Sequence, residues 1–513
     1  MGNPKQKIVT IKGGSIVSDI NKQRIVESVP QQGFVGHPKG LFTLFFTEFW
    51  ERFSYYGMRA ILVYYMYYEL SQGGLGMEES TALAIMSIYG SLVYMSGIIG
   101  GWLADRIFGA SKAVFYGGIL IMLGHITLAI PGSISLFFVS MVLIVLGTGL
   151  LKPNVSSIVG ELYSEHDQRR DAGFSIFYMG INLGAFIAPL IVGTIGMKYN
   201  FHLGFSIAAV GMLLGLIIFA YTRKKYLGLA GTFVPSPLVA KERKKIFLLV
   251  GIGAGLLAII VAVSIPLGLL TFESFIAIVG ILGILIPTLY FIVMFRSPRT
   301  TSVERSRLIA YNPLFIAAIM FWAIQEQGST ILASYADKRT QLNFAGLRIS
   351  PAWFQSLNPL FVITLAPLFA WLWVKLGNRQ PTIPKKFSLG LLFAGLSFLV
   401  ILLPAYFGGE QSLVNPLWLV LSYFIVVLGE LCLSPVGLSA TTKLAPAAFS
   451  AQTMSLWFLS NAAAQAINAQ IVRFYSPATE MAYFGVIGGA AILLSILLYS
   501  FSSKIQGYMK GVQ

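Results

Sequence analysis

The chain has few of the side chains that enzymes and metal proteins use for chemistry. Its 513 residues include one cysteine, Cys432, and four histidines, and only 11% of the residues are charged. One cysteine excludes an intramolecular disulfide and a cysteine-cluster metal site, and no two histidines have ligand spacing. We therefore expect no metal, no cofactor and no catalytic group.

The small share of charge also excludes a soluble fold, because an average globular protein has about 25% charged residues. Hydrophobic residues reach 56%, and the chain contains 52 glycines and 38 phenylalanines. This composition excludes disorder and suits a chain whose solvent is lipid, where small residues let helices pack closely. Apolar runs of about 18 to 25 residues, long enough to cross a bilayer, recur fourteen times. The sequence predicts an all-α polytopic membrane protein with fourteen transmembrane helices.

The charge is unbalanced, with 36 Lys and Arg against 20 Asp and Glu and a formal net charge of +16. In a soluble protein this excess would suggest a nucleic-acid partner. In a membrane protein it indicates topology, since cytoplasmic loops collect Lys and Arg. With the polar and basic residues 1–40 placed inside, most basic residues of the loops also fall inside. We therefore expect no nucleic acid as a partner, and a multi-pass protein of the cell membrane with both termini in the cytoplasm.

A dense basic stretch, from Arg223 to Lys245, separates six predicted spans from the rest of the chain. An extra pair of spans follows, with Glu273 as its one ionisable side chain, and six more spans complete the chain. This order resembles the major facilitator fold, with two six-helix bundles and a hairpin inserted between them. The segment GGWLADRIFGASK, Gly100–Lys112, resembles the loop signature of that superfamily. The predicted boundaries are an N-terminal tail at 1–40, an N-terminal bundle at 41–222, a linker at 223–245, the inserted hairpin at 246–295, a second linker at 296–311, a C-terminal bundle at 312–503 and a C-terminal tail at 504–513.

Seven charged side chains lie inside predicted spans, where an ionised group costs about 2.5 to over 10 kcal/mol unless it faces a cavity or a partner. They are Glu48, Glu51, Arg52 and Arg59 in the first span, Lys152 in the fourth, and Glu326 and Glu430 in the seventh and tenth spans counted without the hairpin. The charges of the first span project within an arc of about 140° together with Tyr55 and Tyr56, which predicts a stripe that lines water. Arg59 has no acid one turn away on its own span, so it is available for an anionic ligand.

Four acids against three bases leave one acid without an opposite charge. A carboxyl of this kind in a low-dielectric site can hold a proton near neutral pH. Glu326 is the best candidate, because it lies far in sequence from the charges of the first span and between two neutral glutamines. Structural interpretations stay open: Glu48 and Arg52 have the spacing of an i,i+4 ion pair, and Glu326 or Glu430 could be buried for packing alone.

Two segments carry a family resemblance. The first-span sequence EFWERFSYYG, Glu48–Gly57, resembles the E-x-x-E-R-F-x-Y-Y-G signature of the proton-dependent oligopeptide transporter family. A second segment, FSIFYMGINLGAFIAP at Phe174–Pro189, is similar to the fifth-helix signature of that family around I-N-x-G. The first motif is specific, because two acids and an arginine one turn apart inside a span are rare. The resemblance extends over the whole chain, including the inserted hairpin.

The resemblance implies a role for each of these charges. Arg59 and Lys152 would bind the carboxylate of a peptide, and Glu430 would bind its N-terminal ammonium. Glu326 would be the proton-binding acid. Its coupling partners would be Glu48, Glu51 and Arg52. The other positions that resemble the pocket lining of the family are Tyr55, Tyr56, Tyr64, Tyr94, Asn182, Asn358 and Trp457.

The implied function is proton-coupled import of di- and tripeptides by alternating access, with protons as the coupling ion and the lipid bilayer as the surroundings. We expect the monomer to be the functional unit. Two other transport functions fit the same fold, namely uptake of a nitrate-like anion and proton-coupled antiport of drugs. Glu430 has no use for an anion without an amine, which favours peptides. A polytopic membrane enzyme is the remote alternative, and the sequence lacks a nucleophile with a positioned base for it.

Overall fold

The computed structural model describes residues 15–132, 134–164, 166–264, 266–269, 271–344, 346–408 and 413–512. Residues 1–14 of the predicted N-terminal tail and residue 513 of the predicted C-terminal tail lie outside the described residues. The described chain is helical almost throughout, which confirms the predicted all-α class. The strands within the described residues, β1 (Asn343–Phe344) and β2 (Leu347–Arg348), form a two-residue antiparallel hairpin that pairs Asn343 with Arg348.

Helices follow one another along the chain, and most of them are long. The first eight are α1 (Ser15–Ser28), α2 (Gly40–Tyr67), α3 (Glu79–Leu103), α4 (Ala110–Ala129), α5 (Ile134–Glu161), α6 (Arg170–Ala188), α7 (Thr194–Lys198) and α8 (Phe201–Thr222). The others are α9 (Ala240–Ser264), α10 (Phe272–Arg296), α11 (Ser302–Glu326), α12 (Ile331–Lys338), α13 (Leu357–Leu376), α14 (Ile383–Leu399), α15 (Leu402–Gly408), α16 (Leu417–Leu444), α17 (Ser450–Ile471), α18 (Glu480–Ser500) and α19 (Ser502–Tyr508). Short π-helical turns extend α3, join α6 to α7 and extend α8, at Ala104–Phe108, Pro189–Gly193 and Arg223–Leu227.

Within the described residues, 11 helical segments are long and apolar enough to cross a membrane. The long helices α2, α9 and α17 are not among them. In α2 the reason is visible in the sequence, because its 28 residues include two glutamates and two arginines. Within the described residues, length and apolarity therefore support 11 of the fourteen spans that the sequence predicts.

Two helices begin before the predicted ends of their linkers. α9 starts at Ala240 and α11 at Ser302, so each helix begins inside a predicted linker, at 223–245 and at 296–311, and the boundaries of the spans stay a prediction. Apolar runs locate the part of a helix in hydrocarbon, whereas Lys, Arg and Glu are good helix formers and continue it into the polar interface. Thr301 fixes the start of α11 through a capping box with Glu304.

Helix packing divides along the sequence. Among helices α2 to α8, α2 packs on α6 and α8, and α5 packs on α3 and α4. Among helices α11 to α18, α14 packs on α16 and α18, and α11 packs on α14 and α17. Contacts of α3 with α17 and of α6 with α13 join these two groups, and α10 packs on α17 and α3. The space between the two groups contains the candidate site.

A 3₁₀ turn, Gln327–Ser329, separates α11 from α12. Gly, Ser and Thr at 328–330 are weak helix formers, and Thr330 leaves helical geometry with φ −123° and ψ −90°. The break follows Glu326 directly, and Ser329 Oγ donates to the backbone carbonyl of Glu326 at 3.1 Å. The break therefore places a hydroxyl beside an intramembrane acid.

Candidate functional site

A cavity of about 200 Å³ lies between α2, α3 and α6 on one side and α11, α13 and α16 on the other. Six of the predicted pocket residues line it: Tyr56, Arg59, Tyr94, Asn182, Asn358 and Glu430. The predicted proton-binding acid, Glu326, lines it as well. Packing of the two groups of helices therefore brings into one cavity charges that lie far apart in the sequence.

Arg59 and Glu326 form an ion pair in the cavity. Arg59 Nη2 contacts Glu326 Oε2 and also donates to Ser329 Oγ at 2.8 Å. Glu326 accepts two further hydrogen bonds, from Tyr94 OH at 3.2 Å and from Gln465 Nε2 at 2.7 Å. The expectation that Glu326 is the acid without an opposite charge is therefore wrong, and Arg59 is not free of an acidic partner. The pair joins positions 267 residues apart, a contact that the spacing of charges along one span does not reveal.

Glu430 is the intramembrane acid that the structure surrounds with neutral groups. Its Oε2 accepts hydrogen bonds from Asn358 Nδ2 and from Gln325 Nε2, both at 2.9 Å. Within the described residues, none of the ion pairs involves Glu430. Because its donors are neutral amides, its negative charge is available to a cationic group that enters the cavity.

Lys152 lies behind the cavity lining. Its ammonium nitrogen is 4.5 Å from the centroid of the Tyr94 ring, in a cation–π contact. Tyr94 lines the cavity and donates its hydroxyl hydrogen to Glu326. One tyrosine therefore connects Lys152 to the ion pair of Arg59 and Glu326.

Glu48, Glu51 and Arg52 form a buried cluster that we call the α2 charge cluster. Arg52 Nε lies 3.2 Å from Glu48 Oε1, as the i,i+4 spacing suggests, and it also contacts Glu51 Oε2. The cluster is not part of the cavity lining. The Arg52 guanidinium lies 5.9 Å from the ring centroid of Tyr56, which does line the cavity. One aromatic ring thus separates the cluster from the cavity.

Besides Lys152, three predicted pocket residues lie outside the lining. Tyr55 stacks on Tyr89 with ring centroids 6.4 Å apart. Tyr64 is buried, and its hydroxyl donates to the backbone carbonyl of Ala333 at 3.1 Å. Trp457 is 4% exposed. These contacts are those of packing residues, and the role of the three side chains in binding stays a prediction.

Several further lining residues escaped prediction from the sequence, among them Trp322, Ser329, Gln355 and Tyr423. Tyr423 lies seven residues before Glu430 and so on the same face of α16, a spacing that could have identified it. Ser329 reaches the cavity through the helix break after Glu326. Trp322 lies in the apolar helix α11, and Gln355 lies in a short 3₁₀ helix, Pro351–Ser356. No sequence pattern marks either residue.

Side-chain contacts join α12 to α2 and α3 at the end where α2 stops and α3 starts. Asp337 accepts hydrogen bonds from Tyr67 OH at 2.7 Å and from Tyr68 OH at 2.8 Å. Glu79 contacts Lys338 and Ser334. We call these contacts the α12 ties, because Ser334, Asp337 and Lys338 all belong to α12. They connect the two groups of helices beyond the ion pair of Arg59 and Glu326.

Known proteins match the chain over most of its length. The POT family model matches residues 111–488. The chain is 65% identical to the uncharacterised transporter YclF of Bacillus subtilis (strain 168), over 97% of this chain and 100% of that protein. It is 48% identical to a di-/tripeptide transporter of Lactococcus lactis subsp. cremoris, over 94% of this chain and 99% of that protein.

A solved structure extends this similarity to three dimensions. The crystal structure of a peptide transporter POT in complex with sulfate superposes with a TM-score of 0.94 at 74% identity, over 96% of this chain and 99% of that one. Family and relatives are transporters, which excludes the alternative of a membrane enzyme. The signatures at Glu48–Gly57 and Phe174–Pro189 thus agree with matches that span the whole fold. The chain belongs to the POT family of transporters.

Proposed function

We propose that the chain is a proton-coupled symporter of the cell membrane that imports di- and tripeptides by alternating access. The observation that carries the proposal is the cavity lined by Arg59, paired with Glu326, and by Glu430, held by amides. A peptide with free ends carries one charge of each sign, and this lining offers a partner to both. The volume of about 200 Å³ supports a short peptide as the substrate.

In the proposed bound state the peptide lies between opposite charges. Its carboxylate pairs with Arg59, and Lys152 adds positive charge from behind the lining. Its ammonium pairs with Glu430, whose amide partners do not compete for the positive charge. The polar lining residues available to the peptide backbone are Tyr56, Tyr94, Asn182 and Asn358.

Proton coupling follows from competition for Arg59. The guanidinium cannot hold Glu326 and a peptide carboxylate with full strength at the same time. Arrival of the peptide therefore leaves Glu326 without its counter-charge in a low-dielectric site, and a carboxylate in that situation takes up a proton. The α2 charge cluster lies one ring away, through Tyr56, and takes part in the same rearrangement.

The energy available is sufficient for uphill uptake. An inward proton gains about 2.3 kcal/mol per 100 mV of membrane potential, before any pH gradient. For a neutral zwitterionic peptide carried with one proton, this free energy corresponds to a concentration ratio of about fiftyfold. Coupling to a single proton therefore supports accumulation of peptides.

The proposed architecture is the major facilitator fold with fourteen spans. Six spans from α2 to α8 and six from α11 to α18 form two bundles, with α9 and α10 as the inserted hairpin. The preferential packing within each group of helices supports two bundles. Helices α2, α9 and α17 have 28, 25 and 22 residues, enough to cross about 30 Å of hydrocarbon. We place both termini and the basic linker in the cytoplasm, and we take the monomer as the functional unit.

In this topology the α12 ties lie at the outer end of the cavity. They hold α2 and α3 against α12 and so close the path to the outside. Rocking of the two bundles about the cavity would break the ties and open the outer path. Proton uptake at Glu326 and release of Arg59 act on the same helices, α2 and α11, which supports a link between coupling and gating.

The first test is Glu326→Gln in proteoliposomes with an inside-negative potential and an inward pH gradient. We expect the variant to lose proton-driven accumulation of labelled dialanine, because an amide cannot take up the coupling proton. Counterflow of dialanine, which needs no proton cycle, should continue. An uncoupler should abolish accumulation by the unchanged protein and have no effect on the variant.

Glu273→Gln is the matched control, since Glu273 is exposed in the first turn of α10. It should accumulate dialanine like the unchanged protein. Accumulation by Glu326→Gln would remove Glu326 from the coupling step. Competition of nitrate with dialanine would favour an anion transporter, and proton-driven efflux of a drug without dialanine uptake would favour an antiporter.

A further inference from the structure

A second cavity lies outside the transport site, between the end of α10 and the first half of α11. Its volume is about 390 Å³, within the range of about 300–1,000 Å³ that is usual for small-molecule sites. Its apolar lining consists of Phe291, Ile292, Phe295, Leu308 and Ile309. Two polar side chains complete the lining, Arg296 and Asn312. We call this cavity the α10 groove.

The groove has one closed and one polar end. Phe291 packs on Tyr311 and Phe315, with ring centroids 5.8 Å and 5.2 Å apart, and closes the deep end. Arg296 is the last residue of α10, about 7.5 Å further along the helix axis. Ile292, Phe295 and Ile309 are 42%, 44% and 46% exposed, so the apolar wall faces the surroundings of the protein. The groove is therefore an apolar slot that ends at an arginine.

The polar end has an excess of positive charge. Arg296, Arg299, Arg305 and Arg307 lie in the connection from α10 into α11, against one acid, Glu304. Glu304 is occupied as a cap: its Oε2 accepts from Thr301 N at 2.8 Å, and its Oε1 accepts from Ala447 N at 2.8 Å. Within the described residues, Arg296 has no hydrogen-bond or ion-pair partner. The buried Nε atoms of Arg305 and Arg307 donate to no partner there, and Arg305 Nη2 donates to the backbone carbonyl of Ser297 at 3.2 Å. The charge here is complementary to an anion.

We propose that the α10 groove is a binding site for one anionic glycerophospholipid of the adjacent membrane leaflet. An acyl chain fills the slot between α10 and α11, the phosphate pairs with Arg296, and the Asn312 amide donates to an ester carbonyl. Basic pockets between membrane helices are typical sites for anionic headgroups. The slot lies between α10 and α11, and Phe291 of α10 packs on Tyr311 and Phe315 of α11. A lipid in the slot therefore adds contacts between these two helices.

The test is native mass spectrometry of the full chain, delipidated in detergent and titrated with phosphatidylglycerol or phosphatidylcholine of the same acyl chains. We expect the protein to retain one phosphatidylglycerol at least about fivefold more strongly than phosphatidylcholine. Arg296→Gln should lower the retention of phosphatidylglycerol about fivefold and leave phosphatidylcholine unchanged. Ile309→Trp, which fills the slot, should lower the retention of both lipids. Arg379→Gln removes an exposed arginine outside the groove and should behave like the unchanged protein.

Melting temperatures measured in the same detergent identify any variant that does not fold. If Ile309→Trp does not fold, lipid retention by Arg296→Gln tests the proposal. Equal retention of the two lipids by the unchanged protein overturns the proposal. So does phosphatidylglycerol retention that Arg296→Gln leaves intact. A dimer that disappears in Ile309→Trp would show that a second copy of the chain covers the groove, and this result would also overturn the proposal.

Discussion

The two carboxylates that line the cavity between the two groups of helices differ in their surroundings. Glu326 is paired with Arg59, whereas Glu430 accepts hydrogen bonds from the amides of Asn358 and Gln325. Breaking a buried ion pair by removing one partner costs about 3–5 kcal/mol, because the other charge is left uncompensated. A peptide carboxylate can replace Glu326 as the partner of Arg59 and so avoid this cost. Arg59 can therefore exchange Glu326 for the carboxylate of a peptide, and Glu430, which the two amides hold, can bind a cation.

Glu430→Gln tests the cation site. The change removes the negative charge and keeps the size of the side chain, and a hydrogen bond to a charged group contributes about 1.5–3 kcal/mol. We expect the KM for dialanine uptake to rise at least about tenfold. N-acetylated dialanine has no ammonium group and should inhibit the variant and the unchanged protein at the same concentration. Initial uptake rates at varied peptide concentration measure the KM, and an unchanged KM would remove Glu430 from the ammonium site.

At the scale of the helix, the I-N-x-G motif on α6 places two residues with different tasks. Asn182 lines the cavity. Gly184 faces α2, where an added Cβ would clash with the backbone carbonyl oxygen of Phe49 and would lie 3.2 Å from Phe53 N. The backbones of α6 and α2 therefore approach too closely for a side chain at this position. Since α2 carries Arg59 and the α2 charge cluster, the glycine sets the position of α2 relative to α6.

Gly184→Ala should therefore push α6 away from α2. Overpacking of this kind costs about 1–3 kcal/mol, and we expect a lower melting temperature and slower dialanine uptake. Gly97→Ala is the matched control, because nothing lies within 4 Å of an added Cβ on this α3 glycine. Alanine stabilises a helix interior by about 1 kcal/mol relative to glycine, so the control should melt at the same or a higher temperature. If both variants melt alike in a thermal-shift assay, close approach at Gly184 does not matter for stability.

At the scale of the whole molecule, side-chain contacts join the two groups of helices at one end. The α12 ties join α2 and α3 to α12, and Trp353 Nε1 donates to Thr194 Oγ1 at 2.7 Å, which adds a link between the two groups of helices. The ion pair of Lys338 with Glu79 is partly exposed, with 46% and 27% of the side chains accessible. Pairs of this kind contribute about 0.2–1 kcal/mol. This ion pair is therefore weak enough for the proposed rocking of the two groups of helices to break it.

Glu79→Gln weakens these ties and should increase the share of molecules open at that end. A cysteine introduced as Ala60→Cys, in a Cys432→Ser background, reports from the cavity lining. We expect an impermeant thiol reagent, added on the side of the membrane where Lys338 lies, to label it up to about fivefold faster in Glu79→Gln. Glu69→Gln is the control, because Glu69 is exposed at the same end and bonds within its own turn. Equal labelling rates in all three proteins would mean that Glu79 does not hold this end closed.

Much of the site could be read from the sequence, because the relevant residues are polar groups in apolar surroundings. Arg59, Glu326 and Glu430 stand out for this reason, and all three line the cavity. Their pairing could not be read in the same way. The count of four acids and three bases shows that one acid lacks an opposite charge, but not which acid, and Glu326 is the wrong assignment.

The sequence by itself determined the solvent of the protein, its helical class and its family, because hydropathy, composition and local motifs are properties of short segments. It also determined which positions carry a charge inside the membrane. Only the tertiary structure decided that Arg59 pairs with Glu326, that Glu430 is held by amides and that Lys152 lies behind Tyr94. The physical reason is distance: an ion pair or a cation–π contact requires atoms within about 4 to 6 Å. Such distances between side chains on different helices exist only after the helices have packed.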